Sequence, residues 1–229
     1  MAAIEQPTLV TLDTVASQTT FDGALLAAGC AIEAARTGGF ALVRPPGHHA
    51  LTAAAMGFCF INNVAVAARR MQVEGIERVA IVDFDVHHGN GTEDMFRGDD
   101  SVLYASLHQW PFYPGTGDPA DQDETTVNVP LPARSTDADY IDAFRTRIEP
   151  AVRRFAPELV LVSAGFDAHE EDPLADMRVT ADGFRELARR CAALGPRVAA
   201  VLEGGYNLAT LPRLVDAALD GFTSTKTAG

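Results

Sequence analysis

Two acidic side chains and two imidazoles stand in or directly after an apolar run in IVDFDVHHGN, residues 81–90. Burying unpaired ionisable groups is costly, so Asp83, Asp85 and His87 each need a compensating partner. Because residues two apart in an extended segment point to the same side, Asp85 and His87 can bind one cation. Asp167, in SAGFDAHEEDP, would add an oxygen ligand and leave positions open for water and substrate. Such nitrogen and oxygen ligation suits Zn²⁺, although Fe²⁺ or another divalent ion could also use it.

Tandem histidines, His48 and His49, follow the segment RPPG. The two prolines stiffen the approach and Gly47 allows a turn, which suits the positioning of the next two side chains. One histidine could take a proton from an activated water and later donate it to a leaving amine. Asp83 is a candidate carboxylate partner for one of them. Standing alone, such a pair would more often be two solvated loop histidines.

Aromatic side chains in glycine-rich loops could complete a site. Tyr206 follows two glycines in LEGGYN, and a tyrosine hydroxyl aimed at a carbonyl would stabilise an oxyanion. Phe58 in GFCF and Tyr113 in PFYPGTGD could line a narrow slot around an alkyl chain, and Leu174 could join them. Phe58 and Tyr113 could equally pack over the core, and a lone tyrosine after glycines, such as Tyr206, is more often a packing residue.

The chemistry-bearing residues follow predicted strands. Short apolar or β-branched runs predict strands at residues 40–43, 79–84, 102–107, 159–164 and 198–202. Apolar spacings of three and four predict helices near residues 22–37, 60–75, 137–155, 181–194 and 208–221. Thr180 is a predicted helix N-cap, and Gly38 with Gly39 is predicted to end the first helix.

This alternation predicts an α/β fold with three α/β/α layers, in which helices cover both faces of a mostly parallel central sheet. Ligands bind such sheets at the carboxyl ends of the strands. Five strand ends would therefore meet at one crevice. They carry His48 and His49; Asp83, Asp85 and His87; Ser106 and His108; Asp167; and Glu203 with Tyr206. No repeat or linker divides the 229 residues, so we expect one domain over residues 1–229.

Composition and charge exclude several classes of protein. Hydrophobic residues make up 47% and charged residues 21%, as in globular proteins, and no apolar segment approaches the roughly 18 residues of a membrane helix. The formal net charge of −13 disfavours direct nucleic acid binding. Three separated cysteines without a CxxC pair argue against a disulfide framework or a thiolate zinc site. Because the first residues lack signal-peptide features, we expect a cytoplasmic protein.

Several segments occur in the order found in the histone deacetylase superfamily, across most of residues 22–221. They are RPPGHHA, GFCFINNVAVAA, VAIVDFDVHHGNGTEDMF, YPGTGD, VNVPLP, LVLVSAGFDAHEEDPLADMRVT and VLEGGYN. The sequence resembles this family, in particular the class II type and bacterial histone deacetylase-like amidohydrolases. The resemblance implies an arginase-like α/β fold and hydrolysis of the N-acetyl amide of acetyl-lysine in a peptide or protein, or of another acylated amine.

The resemblance also implies roles for individual residues. It assigns the catalytic metal, usually zinc, to Asp85, His87 and Asp167. His49 becomes the general base and acid, and Tyr206 polarises the acetyl carbonyl. The remaining catalytic positions are His48, which supports the transition state electrostatically, its partner Asp83, and Asn90.

The same resemblance implies a substrate channel and monovalent cation sites. The channel would be formed by Gly57, Phe58, Tyr113, Leu174 and Gly205. A structural potassium ion would be held, largely by backbone carbonyls, at Asp83, Asp85, His87, Ser106 and Leu107. A second monovalent site would involve Phe96 and Val102.

Three departures from the family pattern affect the site. Asn90 stands where class I relatives have an aspartate, and a neutral partner should raise the pKa of its histidine less. Tyr113 replaces the phenylalanine of many relatives, so its hydroxyl can narrow or polarise the channel. The segment before RPPGHHA is shorter than is usual in the family. We therefore expect the chain to lack a strand and rim loops, including an acidic residue that binds the substrate backbone. A partner chain, as in a homo-oligomer, could cover the exposed sheet edge.

Three alternatives remain open. An acetylpolyamine amidohydrolase would use the same chemistry, but Leu174 occupies the stretch where such specialists can carry an acidic gatekeeper. A binuclear manganese hydrolase of the arginase type would need further carboxylates, where DVHHGN offers Asn90. A binding or scaffold protein with weak catalysis would fit the short amino-terminal part, although every catalytic residue is present.

Overall fold

The computed structural model describes residues 8–224. The strands are β1 (Thr8–Leu9), β2 (Val15–Ala16), β3 (Phe40–Ala41), β4 (Val79–Asp83), β5 (Val102–Gln109), β6 (Thr126–Leu131), β7 (Leu159–Ala164) and β8 (Val198–Leu202). The helices are α1 (Thr20–Thr37), α2 (Asn63–Val73), α3 (Asn90–Phe96), α4 (Asp137–Ala143), α5 (Glu149–Phe155), α6 (Ala181–Ala192) and α7 (Leu211–Ser224). A π-helical segment, Phe144–Ile148, joins α4 to α5. Residues 1–7 and 225–229 lie outside the described part, so one domain over residues 1–229 stays a prediction.

A parallel sheet organises this part of the chain. Six strands run in the order β3-β8-β7-β4-β5-β6 between residues 8 and 224, and every neighbouring pair is parallel. β4 lies in the middle, with Asp83 opposite Ser106 of β5 and Ser163 of β7. All three residues therefore lie towards the carboxyl ends of the parallel strands, where the sequence predicts the site. The predicted mostly parallel α/β fold is confirmed.

Alternating side chains along the strands pack into two separate cores, one on each face of the sheet. On β4, Ala80 and Val82 pack in one core with residues of α4, α5, α6 and α7. Val79 and Ile81 pack in the other core with residues of α1 and α2. Because successive strand residues point to opposite faces, an apolar run such as VAIV fills both cores at once. The described elements thus form the three predicted layers.

Local signals mark the end of one helix and the start of another where the sequence predicts them. Gly38 has a left-handed φ of 71° and its N–H donates to Ala34 O, so it ends α1. The Thr180 hydroxyl accepts a hydrogen bond from Gly183 N and caps α6. The predicted helix at residues 137–155 is continuous but contains the π-helical segment. Two helix starts were displaced, because helix 60–75 begins at Asn63 and helix 208–221 begins at Leu211.

Four elements are not predicted from the sequence. β6 contains Pro130, which cannot donate a ladder hydrogen bond, but β6 lies at an edge of the sheet, where proline is tolerated. The short helix α3 follows directly after His87 and His88, in a segment for which the sequence predicts no helix. β1 and β2 form a separate antiparallel pair of two residues each. Among the helices between residues 8 and 224, none is long and apolar enough to cross a bilayer.

A substitution in the core between the sheet and helices α4 to α7 tests this packing. The ring of Phe184 on α6 is fully buried, with its centroid 5.0 Å from that of Phe166 and 6.2 Å from that of Phe84. We expect Phe184→Ala to lower the free energy of unfolding by about 3–5 kcal/mol, because it leaves a cavity among rings. Val73→Ala, at a position 81% exposed on α2, should change it by less than about 0.5 kcal/mol. Urea unfolding of both variants measures the difference, and equal losses would contradict the assigned core.

Candidate metal centre and substrate channel

Asp85, His87 and Asp167 converge on one point at the carboxyl ends of β4 and β7. One ligand atom from each of the three lies within 4.8 Å of the others. His87 Nδ1 is 3.2 Å from Asp85 Oδ1 and 3.0 Å from Asp167 Oδ2. Both carboxylates are fully buried, and His87 is 8% exposed. The donor set fits a divalent cation, because two buried carboxylates and an imidazole nitrogen face the same small volume.

Two glycines allow the carboxylates to come together. A Cβ atom on Gly204 would overlap the carboxylates of both Asp85 and Asp167, and one on Gly165 would overlap that of Asp85. Gly204 N also donates to Asp85 Oδ2 at 2.7 Å, and Val86 N donates to Asp167 Oδ1 at 3.0 Å. The ligands are therefore held by backbone groups, with their remaining oxygens directed towards His87.

The electrostatics of this group favour a bound cation. Burial and repulsion from Asp85 raise the pKa of Asp167 to about 6. Burial disfavours the charged form of His87, but the two carboxylates outweigh it and raise its pKa to about 10. Protons are thus drawn to a place where negative charge is concentrated, and a divalent ion would neutralise that charge in their place.

The tandem histidines contact different partners. His48 Nδ1 lies 3.1 Å from Asp83 Oδ2, as expected from the sequence. His49 Nδ1 lies 2.8 Å from Asn90 Oδ1, so the structure joins these two residues as well. The two imidazole centroids are 4.0 Å apart.

These partners give the two imidazoles different protonation states. Burial opposes protonation of His48, but Asp85 and Asp83 outweigh burial and raise its pKa well above the usual value. Burial and the neighbouring His48 lower the pKa of His49 well below the usual value. His48 is therefore cationic and His49 neutral, so His49 is the imidazole that can accept a proton.

An aromatic channel leads from the surface to this group. A cavity of about 210 Å³ is lined by Asp13, His49, Gly57, Phe58, His87, Phe112, Tyr113, Leu174 and Tyr206. The Phe58 and Tyr206 rings meet edge to face at 5.6 Å, and Tyr113 stands edge to face with His49 at 5.3 Å. Burial and repulsion from Asp167 raise the pKa of Tyr206, so its hydroxyl remains a hydrogen-bond donor.

Four of the five predicted channel residues line this cavity, but Gly205 does not. Its backbone has φ of 124°, and a Cβ atom there would meet Leu211 and Phe166. Gly205 therefore serves the turn that carries Tyr206, and its carbonyl accepts a hydrogen bond from Arg44 at 3.0 Å. Glycine is needed here because this φ lies in the left-handed region.

An acidic residue stands at the channel rim, where the sequence analysis identified none. Asp13 Oδ2 accepts a hydrogen bond from the Tyr113 hydroxyl at 2.8 Å, and Asp13 Oδ1 accepts one from Gly57 N at 3.2 Å. Burial opposes ionisation of Asp13, but hydrogen bonds from Thr14, Tyr113 and other donors lower its pKa to about 2. No motif marks Asp13, since Tyr113 follows it by 100 residues.

Two further residues of the site were missed or left without a role. Phe112 stacks on the His87 imidazole, with centroids 5.4 Å apart and planes at 17°. Glu203 is fully buried, and its Oε2 accepts hydrogen bonds from Gly47 N at 2.7 Å and His48 N at 3.1 Å. Glu203 therefore fixes the histidine loop to the end of β8. The position of Glu203 directly after an apolar strand is the sequence feature that indicates its place in the site.

The residues predicted for the two monovalent sites lie in two different places. Asp83 lies opposite Ser106, and Leu107 follows it on β5, next to the turn that carries Asp85 and His87. Phe96 and Val102, which are predicted for the second site, both lie in the core on the α1 and α2 face, so that site stays a prediction. The first group fits a cation, since Asp83, Asp85 and Ser106 are fully buried and carboxylate and carbonyl oxygens are the ligands that hard cations prefer.

A buried polar network anchors the channel wall to the strand end. His88 Nδ1 contacts Thr116 Oγ1 at 2.8 Å, and His88 Nε2 contacts Glu93 Oε2 at 3.0 Å. Glu93 also accepts hydrogen bonds from Asn128 at 2.7 Å and from Arg97. Burial opposes ionisation of Glu93, but these donors lower its pKa from 4.5 to about 2. The loop that carries Phe112 and Tyr113 is thus tied to the segment that follows His87.

The match to a known family covers nearly the whole sequence. The profile of the histone deacetylase domain matches residues 2–222. The chain belongs to the histone deacetylase family. A protein named probable deacetylase, from Archaeoglobus fulgidus, is 42% identical to this family member over 217 residues, which cover 87% of this chain and 60% of that protein.

Solved structures share the fold of this histone deacetylase family member. The HDA15 HD domain matches with a TM-score of 0.92 and 41% identity, over 95% of this chain and 67% of that one. An acetylpolyamine aminohydrolase from Burkholderia pseudomallei matches with a TM-score of 0.87 and 35% identity, over 93% of this chain and 66% of that one. The chain therefore spans about 60% of the length of the curated relative and about two thirds of these two structures.

Loss of one ligand should abolish metal binding. At a zinc concentration 100 times the dissociation constant, the wild-type chain should gain about 2.7 kcal/mol of stability. Asp167→Asn should gain none at that concentration, because one of three buried donors is lost. Asp176→Asn, at an exposed position nearby, should behave like wild type. Thermal unfolding with and without zinc, with metal analysis, checks this, and full zinc stabilisation of Asp167→Asn would exclude the assigned ligands.

The Glu93 network makes a pH-dependent contribution to stability. Folding lowers the pKa of Glu93 from 4.5 to about 2. The contribution of Glu93 to the free energy of unfolding is therefore present above pH 4.5 and is lost as the pH falls towards about 2. We therefore expect Glu93→Gln to be less stable than wild type at pH 7, with the difference shrinking between pH 4.5 and 2. Denaturant unfolding across this range measures it, with Asp94→Asn as the exposed control. A difference that grows on acidification would have the wrong sign.

Proposed function

We propose that this chain is a metal-dependent deacetylase, which hydrolyses the N-acetyl amide of acetyl-lysine in a peptide or protein, or of a related acylated amine. The observation that carries the proposal is the meeting of Asp85, His87 and Asp167 at the base of an aromatic cavity that also exposes His49 and Tyr206. The family match and a relative named probable deacetylase support it.

Each residue at the base of the channel has a distinct part in the proposed reaction. Asp85, His87 and Asp167 would hold the divalent ion, which supplies Lewis-acid activation of water and of the acyl carbonyl. His49, being neutral, accepts the proton of the attacking water and returns it to the leaving amine. Tyr206 keeps its proton and donates a hydrogen bond to the acyl oxygen as negative charge develops there.

The residues around the base of the channel support this chemistry. His48, held cationic beside Asp83, places a fixed positive charge next to the reacting group. Asn90 accepts a hydrogen bond from His49 Nδ1 and so leaves the Nε2 atom of that ring free to exchange a proton. Both partners fix the orientation of the imidazoles.

The channel suits a thin alkyl chain. Phe58 and Tyr113 would flank the methylene groups, and Leu174 would contact the substrate near the mouth. Asp13 at the rim has its carboxylate occupied by several donors, yet an oxygen can accept more than one hydrogen bond. Substrate N–H groups near the mouth would meet this carboxylate.

Zinc is the proposed resident metal, and Fe²⁺ is the second candidate, since both accept this ligand set. We also propose a structural potassium ion at Asp83, Asp85, His87, Ser106 and Leu107. A second monovalent site at Phe96 and Val102 is part of the same proposal. The cytoplasmic location, the absence of direct nucleic acid binding and a homo-oligomeric state remain predictions.

Acylated polyamines are the second candidate substrates. One structural match is an acetylpolyamine aminohydrolase, and one relative is named polyamine deacetylase, from Mus musculus, at 46% identity. Leu174, 41% exposed at the channel mouth, offers no charge to a cationic chain. Asp13 is the acidic side chain that lines the cavity, so charge recognition would depend on it.

The deciding experiment compares an acetyl-lysine peptide with N-acetylputrescine after loading with zinc. We expect turnover of the peptide, with kcat lowered about 10²–10⁴-fold in His49→Ala and about 10²–10³-fold in Tyr206→Phe. Tyr140→Phe is the matched control, because the buried Tyr140 hydroxyl has no hydrogen-bond partner within residues 8–224. Its kcat should stay within about twofold of wild type.

The alternatives predict other outcomes of the same comparison. Preferential turnover of N-acetylputrescine would favour the polyamine function. A zinc-loaded chain that hydrolyses neither substrate would favour a binding or scaffold protein. Two metals per chain would favour a binuclear manganese hydrolase.

A further inference from the structure

The turn that carries Tyr206 has little regular structure to hold it. β8 ends at Leu202 and α7 begins at Leu211, so Tyr206 lies in the loop between them. Two glycines precede it, and Gly205 has a φ of 124°. Because glycine restricts the backbone least, contacts with other segments help to fix the position of Tyr206, and the bond from Arg44 to Gly205 O is one of them.

Asp172 provides further such contacts. Its Oδ2 accepts a hydrogen bond from Tyr206 N at 2.7 Å and a longer one from Asn207 N at 3.4 Å. Its Oδ1 accepts one from Leu174 N at 3.0 Å. Asp172 is only 8% exposed, and it is not among the residues that line the channel cavity. The carboxylate therefore contacts the backbone behind Tyr206.

Local turn chemistry explains only one of these bonds. An aspartate often accepts a hydrogen bond from the backbone two residues later, which accounts for Leu174 N. The bonds to Tyr206 and Asn207 span 34 and 35 residues, so they join two different loops. The Asn207 side chain adds a bond to Glu171 O at 2.9 Å in the same place.

We infer that Asp172 is a positioning residue for Tyr206, and that it sets the place of the tyrosine hydroxyl by binding the tyrosine backbone. The inference rests on the proposed function, in which that hydroxyl donates to the acyl oxygen. The same carboxylate fixes Leu174 at the channel mouth through its other oxygen. Asp172 thereby links the position of the Tyr206 hydroxyl to the position of Leu174 in the channel wall.

Both carboxylate oxygens are needed for this arrangement. An asparagine offers one acceptor oxygen, and its NH₂ group would face a backbone N–H on the other side. Asp172→Asn therefore preserves size but loses one set of contacts, either with Leu174 or with Tyr206 and Asn207. A charge-free, nearly isosteric change can thus test positioning with little change in packing.

A double-mutant cycle on the zinc-loaded enzyme tests the inference. We expect Asp172→Asn to lower kcat for an acetyl-lysine peptide about 10- to 100-fold, because a misplacement of about 1 Å can cost 100-fold. KM should change less than about threefold, since Tyr206 acts on the developing charge. In a Tyr206→Phe background, Asp172→Asn should lower kcat less than about twofold, because the hydroxyl it positions is gone.

Additive losses in the cycle, or a loss confined to KM, would overturn the inference while leaving deacetylation intact. A wild-type chain that loads zinc but turns over no acylated amine would overturn the proposed function together with the inference. The two failures are distinguished by the wild-type measurement alone.

A second variant covers the case in which Asp172→Asn does not fold. Asn207→Ala removes the Asn207–Glu171 bond between the same loops, and its smaller loss of kcat should also disappear in the Tyr206→Phe background. Persistence of that loss would contradict the inference. Glu171→Gln changes an exposed neighbour that pairs with Arg213, and it should keep kcat within about twofold of wild type.

Discussion

Buried negative charge at the carboxyl ends of the strands is the constraint on which the site depends. Asp83, Asp85, Asp167 and Glu203 are all fully buried within the same region. Such a group of carboxylates is tolerated only if each is paired or hydrogen-bonded. The protein supplies imidazoles and backbone N–H groups, and a divalent ion would add the remaining positive charge. The glycines beside these carboxylates follow from the same constraint, since a side chain there would separate the charges from the groups that compensate them.

The same charges explain how two adjacent histidines acquire different chemistry. His48 lies against Asp83 and near Asp85, whereas His49 faces the neutral amide of Asn90. Protonation of His48 then makes protonation of His49 harder, because the two rings are 4.0 Å apart. A histidine pair thus divides into a fixed cation and a proton acceptor through its neighbours alone. An aspartate at position 90 would weaken this division.

The sequence predicts the parts of this structure that depend on local pattern. β4 and β7 were found because uninterrupted apolar runs are typical of buried parallel strands, and their ends located the metal-binding group. β6 was missed because Pro130 and a polar neighbour disturb its pattern. The roles of Asp13 and Asp172 could not be predicted, because their partners follow 100 and 34 residues later. Spacing identifies side chains that share a strand end, but not which loop a carboxylate will reach.

Several acidic residues have a structural use that the net charge conceals. Of 31 acidic residues, Asp83, Asp85, Glu93, Asp167, Asp172 and Glu203 are buried. Glu203 and Asp172 each accept backbone N–H groups of another loop. Glu203 therefore holds the histidine loop at the end of β8, and Asp172 joins the tyrosine loop to the loop that carries Leu174. A carboxylate suits this task because it can accept from several donors at once and needs no particular side-chain partner. Part of the charge of −13 therefore lies inside the site, where it sets the geometry of loops.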